Sequence, residues 1–308
     1  MAAKRLNPLN NIVFASLFQG MESAPAMLEF LNAILSTVGE EPIEEILDIK
    51  SEYPIIAKGV GLKYGRVDVL VRTKAKRIFD IEVQIERDYM NNRSFFYGGH
   101  LMADEFKEGT PYKEMPKVRV INLVDFVMRK DNKEVVQPIT LAYEKEPMRE
   151  ATDIFRIINI QLPVFKKNYK TLESVSGNDF YTWLYLLVKG YKKEEEMESL
   201  SMMSDGLLAF AKQYNIAIND PDLKRMYRME MFAKHEEASR LQAATERAEK
   251  RGEKRGEKRG EKRGEKRGEK RGEERGIAIT AAKMKQKGYP VADIVEITGL
   301  SPSQIAAL

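Results

Sequence analysis

With 308 residues the chain has room for one large or two ordinary domains and for a substantial buried core. It has no cysteine and its histidines are His100 and His235 alone, which excludes disulfides, a thiolate nucleophile and Cys- or His-built metal centres, so metal chemistry must rest on carboxylates. The net charge of +4 permits nucleic-acid binding without arguing for it, and with no apolar run long enough to span a bilayer and no secretory leader pattern, a soluble cytoplasmic protein is expected.

Within residues 7–20, Ile12, Val13, Leu17 and Phe18 fall at helical spacing, with Asn10 or Asn11 available as cap, Asn11 preferred, and Gly20 as stop. Met27, Leu28, Leu31, Ile34 and Leu35 predict an amphipathic helix running to about Val38, ahead of Gly39 and Pro42, with Glu29 on its polar side. Ile46 to Ile56 is apolar and partly alternating, a first strand. The glycines of 58–65 resemble a phosphate loop only superficially: no Gly-Lys-Ser/Thr follows and a strand comes next, so a turn is expected.

Residues 64–86 read as a β-hairpin turning at Thr73-Lys-Ala-Lys76. Val67, Val69 and Val71 alternate with Arg66, Asp68 and Arg72; Phe79, Ile81, Val83 and Ile85 alternate with Asp80, Glu82, Gln84 and Glu86. Pairing symmetric about Ala75 sets Asp68 opposite Glu82, with β-carbons roughly 5 Å apart, and Gln84 two residues further along the same face. Facing carboxylates repel unless a positive charge lies between them. A divalent metal bound by carboxylate and carbonyl oxygens answers that, and so does a solvated sheet face on which Arg66, Arg72 and Lys76 neutralise the acids.

Residues 88–108 predict a helix with Arg93, Tyr97 and Leu101 along one side and His100 off that stripe as a surface or packing residue. Strands are expected over 117–126 and 153–164, separated by a charged connection. Helices follow over 179–247, with Phe180, Trp183, Leu184 and Leu187 on one apolar face. From 249 to 272 Glu-Lys-Arg-Gly recurs six times and Glu-Glu-Arg-Gly closes the run, a low-complexity tether whose helix is marginal alone because each Gly costs about 1 kcal/mol against Ala. In residues 277–308, Thr298-Gly-Leu-Ser301 joins two short helices as in helix-turn-helix units, with Gly299 as stop and Ser301 as cap before Pro302. The last helix is poor in Lys and Arg, so self-association is as natural a reading as base contact.

Gly65-Arg-Val-Asp68 followed by Ile81-Glu82-Val-Gln84 resembles the active-site hairpin of the PD-(D/E)XK nuclease superfamily, and more narrowly the recombination-promoting nucleases, or PD-(D/E)XK family transposases, in which the motif Lys is commonly Gln. The N-terminal helices, the order helix, three strands, helix, strand, and the C-terminal tail resemble the same family. The resemblance implies an α/β restriction-endonuclease-like core, a mixed sheet flanked by helices, over 1–170. A helical extension (171–247), the tether (248–276) and the small helical module (277–308) follow. It implies a metal-dependent DNA endonuclease leaving a 5′-phosphate and a 3′-hydroxyl, using Mg²⁺ or another divalent cation such as Mn²⁺ held by Asp68, Glu82 and the carbonyl of Val83. Gln84 would orient water, while Arg93 and Tyr97 grip phosphate. Where the family commonly has Asp, this chain has Asn11, which favours the alternative of a weak or inactive DNA-binding protein that assembles through its C-terminal module. DNA is the expected partner, and the chain itself as a homodimer or higher homo-oligomer. Recombination, element mobility and defence against foreign DNA are all open as its purpose.

Overall fold

The computed structural model describes residues 5–55, 65–84, 90–128 and 131–308. They divide into two compact units, 1–230 and 231–308.

In the first unit two helices, α1 (Asn11–Leu17) and α2 (Ala24–Thr37), precede three strands, β1 (Ile46–Ile55), β2 (Gly65–Thr73) and β3 (Arg77–Gln84). Helix α3 (Met90–Glu105) leads to β4 (Lys117–Val124), β5 (Val136–Tyr143) and β6 (Glu146–Gln161), then to α4 (Leu162–Asn168), α5 (Asp179–Val188), α6 (Glu194–Ser201) and α7 (Asp205–Ala217). The six strands form one mixed sheet in the order β1-β2-β3-β4-β6-β5, with β3–β4 and β4–β6 parallel and the other pairs antiparallel.

Both faces of the sheet are covered. On one, Val69, Val71, Phe79, Ile81, Ile121 and Ile158 pack with Phe14, Phe18, Phe30 and Trp183 from the helices. On the other, Leu70, Ile78, Val118, Val120, Phe155 and Ile157 pack with Leu101 of α3. This double burial is why β4 reads as a nearly continuous apolar run.

Several boundaries differ from expectation. The final strand begins at Glu146 and stops at Gln161, because Leu162-Pro163 opens α4 with proline at its first turn, the position where a missing N–H goes unmissed. The charged connection contains β5, an edge strand that accommodates Pro138 because its outer side needs no ladder bond. Helix α3 ends at Glu105, not 108; residues 58–64, Ile56, Ile85, Glu86, Asp88 and Tyr89 lie outside the described residues. The cap of α1 is Asn10, whose side chain accepts from Val13 N–H at 3.2 Å, while Asn11 is the exposed first residue of the helix. Asn10 serves because its Nδ2 also reaches Glu230 at 2.6 Å, a partner 220 residues away that local sequence does not reveal.

Helix α8 (Pro221–Gln286) carries the chain into the second unit, and the tetrad repeat is helical and exposed throughout. Helices α9 (Val291–Thr298) and α10 (Pro302–Ala306) close on it around buried Ala281, Ile294 and Ile305. Gly299 ends α9 at φ +67°, the left-handed conformation that favours glycine, and Ser301 with Gln304 forms a capping box on α10. Among the described residues no helix is long and apolar enough to cross a membrane.

Candidate active site

The hairpin register is symmetric about Ala75: Val69 pairs with Ile81, Leu70 with Asp80, Val71 with Phe79 and Arg72 with Ile78. Asp68 and Glu82 come next, and there side chains take over from the ladder. Asp68 N–H donates to Glu82 Oε1 at 3.2 Å, and Val83 N–H donates to Asp68 Oδ2 at 2.9 Å. Each acid is therefore fixed by the other's strand through a charge-assisted bond, which holds two like charges where a free pair would splay apart. They lie toward the carboxyl end of β3, a parallel neighbour of β4, the side of such sheets where ligands bind.

A third acid belongs to this group. Asp80, two residues before Glu82 on the same face, is completely buried, and neither of its carboxyl oxygens meets a hydrogen-bond donor among the described residues. Burial, and then the charge of Asp68, push its carboxyl up to about 8, only partly offset by Arg93 and by contact with the Glu82 carboxyl. Glu82, 3% exposed in its side chain, is likewise raised well above the usual carboxylate range, by burial first and then by Asp80 and Asp68. The alternation marks Asp80 as polar; what it does not show is that α3 covers this face, turning a solvated row into a buried one.

Helix α3 supplies the positive charge. Arg93 Nη2 lies 2.6 Å from Glu82 Oε2, and the guanidinium, 42% exposed in its side chain, stands 5.4 Å from the centre of the Tyr97 ring. Tyr97 in turn covers the start of β2: a Cβ on Gly65 would stand 2.5 Å from its hydroxyl oxygen, so only glycine admits the ring. Burial raises the Tyr97 phenol above its ordinary value, keeping it protonated. The cations that alternation offers as neutralising groups are spent elsewhere: Arg66 faces Glu52, Arg72 bonds Asp48 and Glu105, and Lys76 bonds Glu114. Glu29 is also away from the acids, accepting from Trp183 Nε1, Ser204 Oγ and Gly206 N–H at the start of α7. His100 packs on Phe96 beside Asp104.

Among the described residues no three His, Cys, Asp or Glu side chains already stand around one point as a metal cluster. The donors nevertheless suit a hard divalent cation. Asp68, Asp80 and Glu82 offer carboxylate oxygens whose mutual repulsion is opposed by Arg93, and the two Asp80 oxygens meet no donor among the described residues. Gln84 ends β3, and its side chain lies outside the described residues. Val83 meets the site through its N–H.

The sequence model of the PD-(D/E)XK nuclease family transposases matches residues 8–244 of the chain, a span that contains the whole sheet and every residue of this site. No curated protein and no solved structure matches it.

Proposed function

Because the chain belongs to the PD-(D/E)XK nuclease family transposases, we propose that it is a metal-dependent DNA endonuclease that hydrolyses phosphodiester bonds to a 5′-phosphate and a 3′-hydroxyl. The observation that carries this reading is the row of three acids at one end of the hairpin, Asp68, Asp80 and Glu82, of which Asp80 and Glu82 are buried and pushed above the usual carboxylate range, with Arg93 of α3 set against Glu82. Asp68, Glu82 and the Val83 carbonyl would hold Mg²⁺ or Mn²⁺, which when bound polarises the scissile phosphate and lowers the pKa of water. The backbone bonds from Val83 and Asp68 keep both carboxylates oriented before any ligand arrives. A guanidinium has five N–H donors and the bond to Glu82 uses one of Arg93's, so the same side chain can also bind a phosphate oxygen. Tyr97, kept protonated, donates from beside it. Gln84 orients water by hydrogen bonds; its amide cannot take the proton.

We assign 1–170 to the nuclease core, 171–247 to a helical extension, 248–276 to a charged tether and 277–308 to a self-association module, with DNA as partner and the cytoplasm as compartment. Support for a homodimer or higher homo-oligomer comes from the module's small core. It buries Ala281, Ile294 and Ile305 while leaving Ile279, Tyr289, Val291 and Ile297 between 50% and 64% exposed. A core this small gains most from pairing with a second copy. Sedimentation of the full chain should then exceed the monomer mass, and truncation before Glu249 should return it to monomer.

Cleavage of supercoiled plasmid tests the nuclease reading. Nicking is expected with Mg²⁺ or Mn²⁺, and none with EDTA or with folded Asp68→Ala or Glu82→Ala protein. Variants that cut as well as wild type would remove these residues from the reaction. A wild type that binds DNA but cuts none of it across metals would favour the non-catalytic alternative.

A further inference from the structure

The row of residues that carries Asp68 and Glu82 continues across the sheet. Glu82 is paired in register with Asn122 of β4, Asn122 with Asn159 of β6, and Asn159 with Gln137 of β5. Asn122 and Asn159 lie at 1% and 0% exposure, and Ser94 of α3, at 4%, covers them. Ser94 Oγ donates to Asn122 Oδ1 at 3.3 Å, Asn122 Nδ2 returns a bond to Ser94 Oγ at 3.1 Å, and the same Nδ2 donates to Asn159 Oδ1 at 2.8 Å. Asn159 keeps its own Nδ2 without a partner among the described residues. A Leu at 122 and at 159 would fit the apolar surroundings of Val120, Ile157 and Phe155 without leaving a buried donor unsatisfied. The amides are a poor choice for stability alone, so their value lies in direction.

Apolar packing sets how closely α3 approaches the sheet. Gly98 gives the limit, since a Cβ there would come within 2.3 Å of Phe155 Cε2. Such contacts are non-directional, and the bond from Arg72 to Glu105 holds α3 at its far end, away from Arg93. The Ser94–Asn122 bonds add direction at the near end, and Ser94 is the immediate neighbour of Arg93.

We propose that Asn122, braced by Asn159 and engaged by Ser94, is a positioning residue that fixes α3 so that Arg93 meets Glu82. The inference rests on the reading of Asp68 and Glu82 as the cleavage site for its rate predictions, but not for its structural ones.

The test uses the full chain with Asn122→Leu, Ser94→Ala and Ser94→Thr. In NMR spectra, the Arg93 guanidinium Nη–H signal, identified by its absence from Arg93→Gln protein, is expected to be slowly exchanging in wild type and in Ser94→Thr, because Nη2 is the atom that donates to Glu82. It should be lost or broadened in Asn122→Leu and Ser94→Ala; if Asn122→Leu does not fold, the Ala and Thr pair at 94 decides. In plasmid cleavage Asn122→Leu and Ser94→Ala should lower kcat roughly 10- to 100-fold, the scale of a misplaced group, with KM within about twofold, and Ser94→Thr should restore the rate. Adding Asn122→Leu to Arg93→Gln should cost nothing further. An Arg93 signal that persists unchanged in Asn122→Leu and Ser94→Ala overturns the proposal, as does a fully additive double variant. If wild-type protein never cuts DNA, the endonuclease reading fails and the NMR comparison still decides the positioning role.

Discussion

Strand β3 joins two charged clusters of opposite logic. At its start, Arg77, Arg119 and Arg156 converge on Glu40, with contacts of 2.9, 2.6 and 2.8 Å, while Glu150 bonds Arg156 and Asp153 bonds Lys117 at the rim. Five residues along, roughly 16 Å at strand rise, Asp68, Asp80 and Glu82 crowd together with Arg93 as their opposing charge. The first cluster satisfies itself, and its ions tie the end of α2 to three strands. The second leaves two buried carboxyls raised in pKa, one of them with no donor among the described residues. A cluster whose ions pair with one another serves the architecture, whereas buried acids raised in pKa on a rigid sheet mark a candidate functional site.

Substitutions should separate the two ends. Glu82→Gln is expected to lower cleavage by several kcal/mol of transition-state stabilisation, on the order of 10³- to 10⁴-fold, yet leave the metal-free fold as stable as before or more so, because it removes a repelled acid. Plasmid nicking and urea unfolding on the same preparation check both halves. Glu40→Ala should do the reverse. Stripping the shared carboxylate from three largely buried guanidiniums costs about 3–5 kcal/mol of stability, read as a fall in urea midpoint, while the protein that stays folded keeps its cleavage rate.

How far the sequence shows this contrast depends on the reach of the interactions. Alternation in 65–84 is local, so the hairpin, its register and the facing pair Asp68 and Glu82 are legible in the order of residues alone. The arginine cluster is not, since its ion pairs join residues 37, 79 and 116 positions apart. Asp80 looks like a surface acid until α3 is laid over it. Asn122 sits inside an apolar strand run, where a single amide gives no hint that Ser94 and Asn159 will meet it. Asn10 is available as a cap by composition, but its choice over Asn11 depends on Glu230.

A pH dependence follows from Asp80. Its carboxyl titrates at about 8 when folded and near the ordinary value of about 3.9 when unfolded. Between those values the folded protein binds the extra proton, so stability falls as pH rises. Metal-free protein should therefore keep this contribution in full below about pH 4 and lose it progressively through about pH 8. Urea unfolding in chelator on the acid and alkaline sides of that window is expected to show the decline, and Asp80→Asn should flatten it. An equal slope in the variant would place the titrating group elsewhere.

The finest distinction concerns Arg93, which belongs to the acid cluster yet opposes it. Its guanidinium holds a Glu82 oxygen that a divalent cation would also use. Replacing it with Gln removes a competing positive charge and increases repulsion among the three acids, and both changes favour the cation. Mg²⁺ should consequently bind Arg93→Gln protein about threefold more tightly, roughly 0.7 kcal/mol, even as cleavage falls for want of a phosphate contact. Arg93→Lys keeps the charge and loses the fork, so its Mg²⁺ affinity should stay near wild type while its cleavage rate drops. Titration calorimetry of the three proteins separates charge from shape. Weaker Mg²⁺ binding in the Gln variant would mean that Arg93 holds Glu82 in place for the metal, and that the acid end of β3 is more nearly balanced than its buried carboxyls imply.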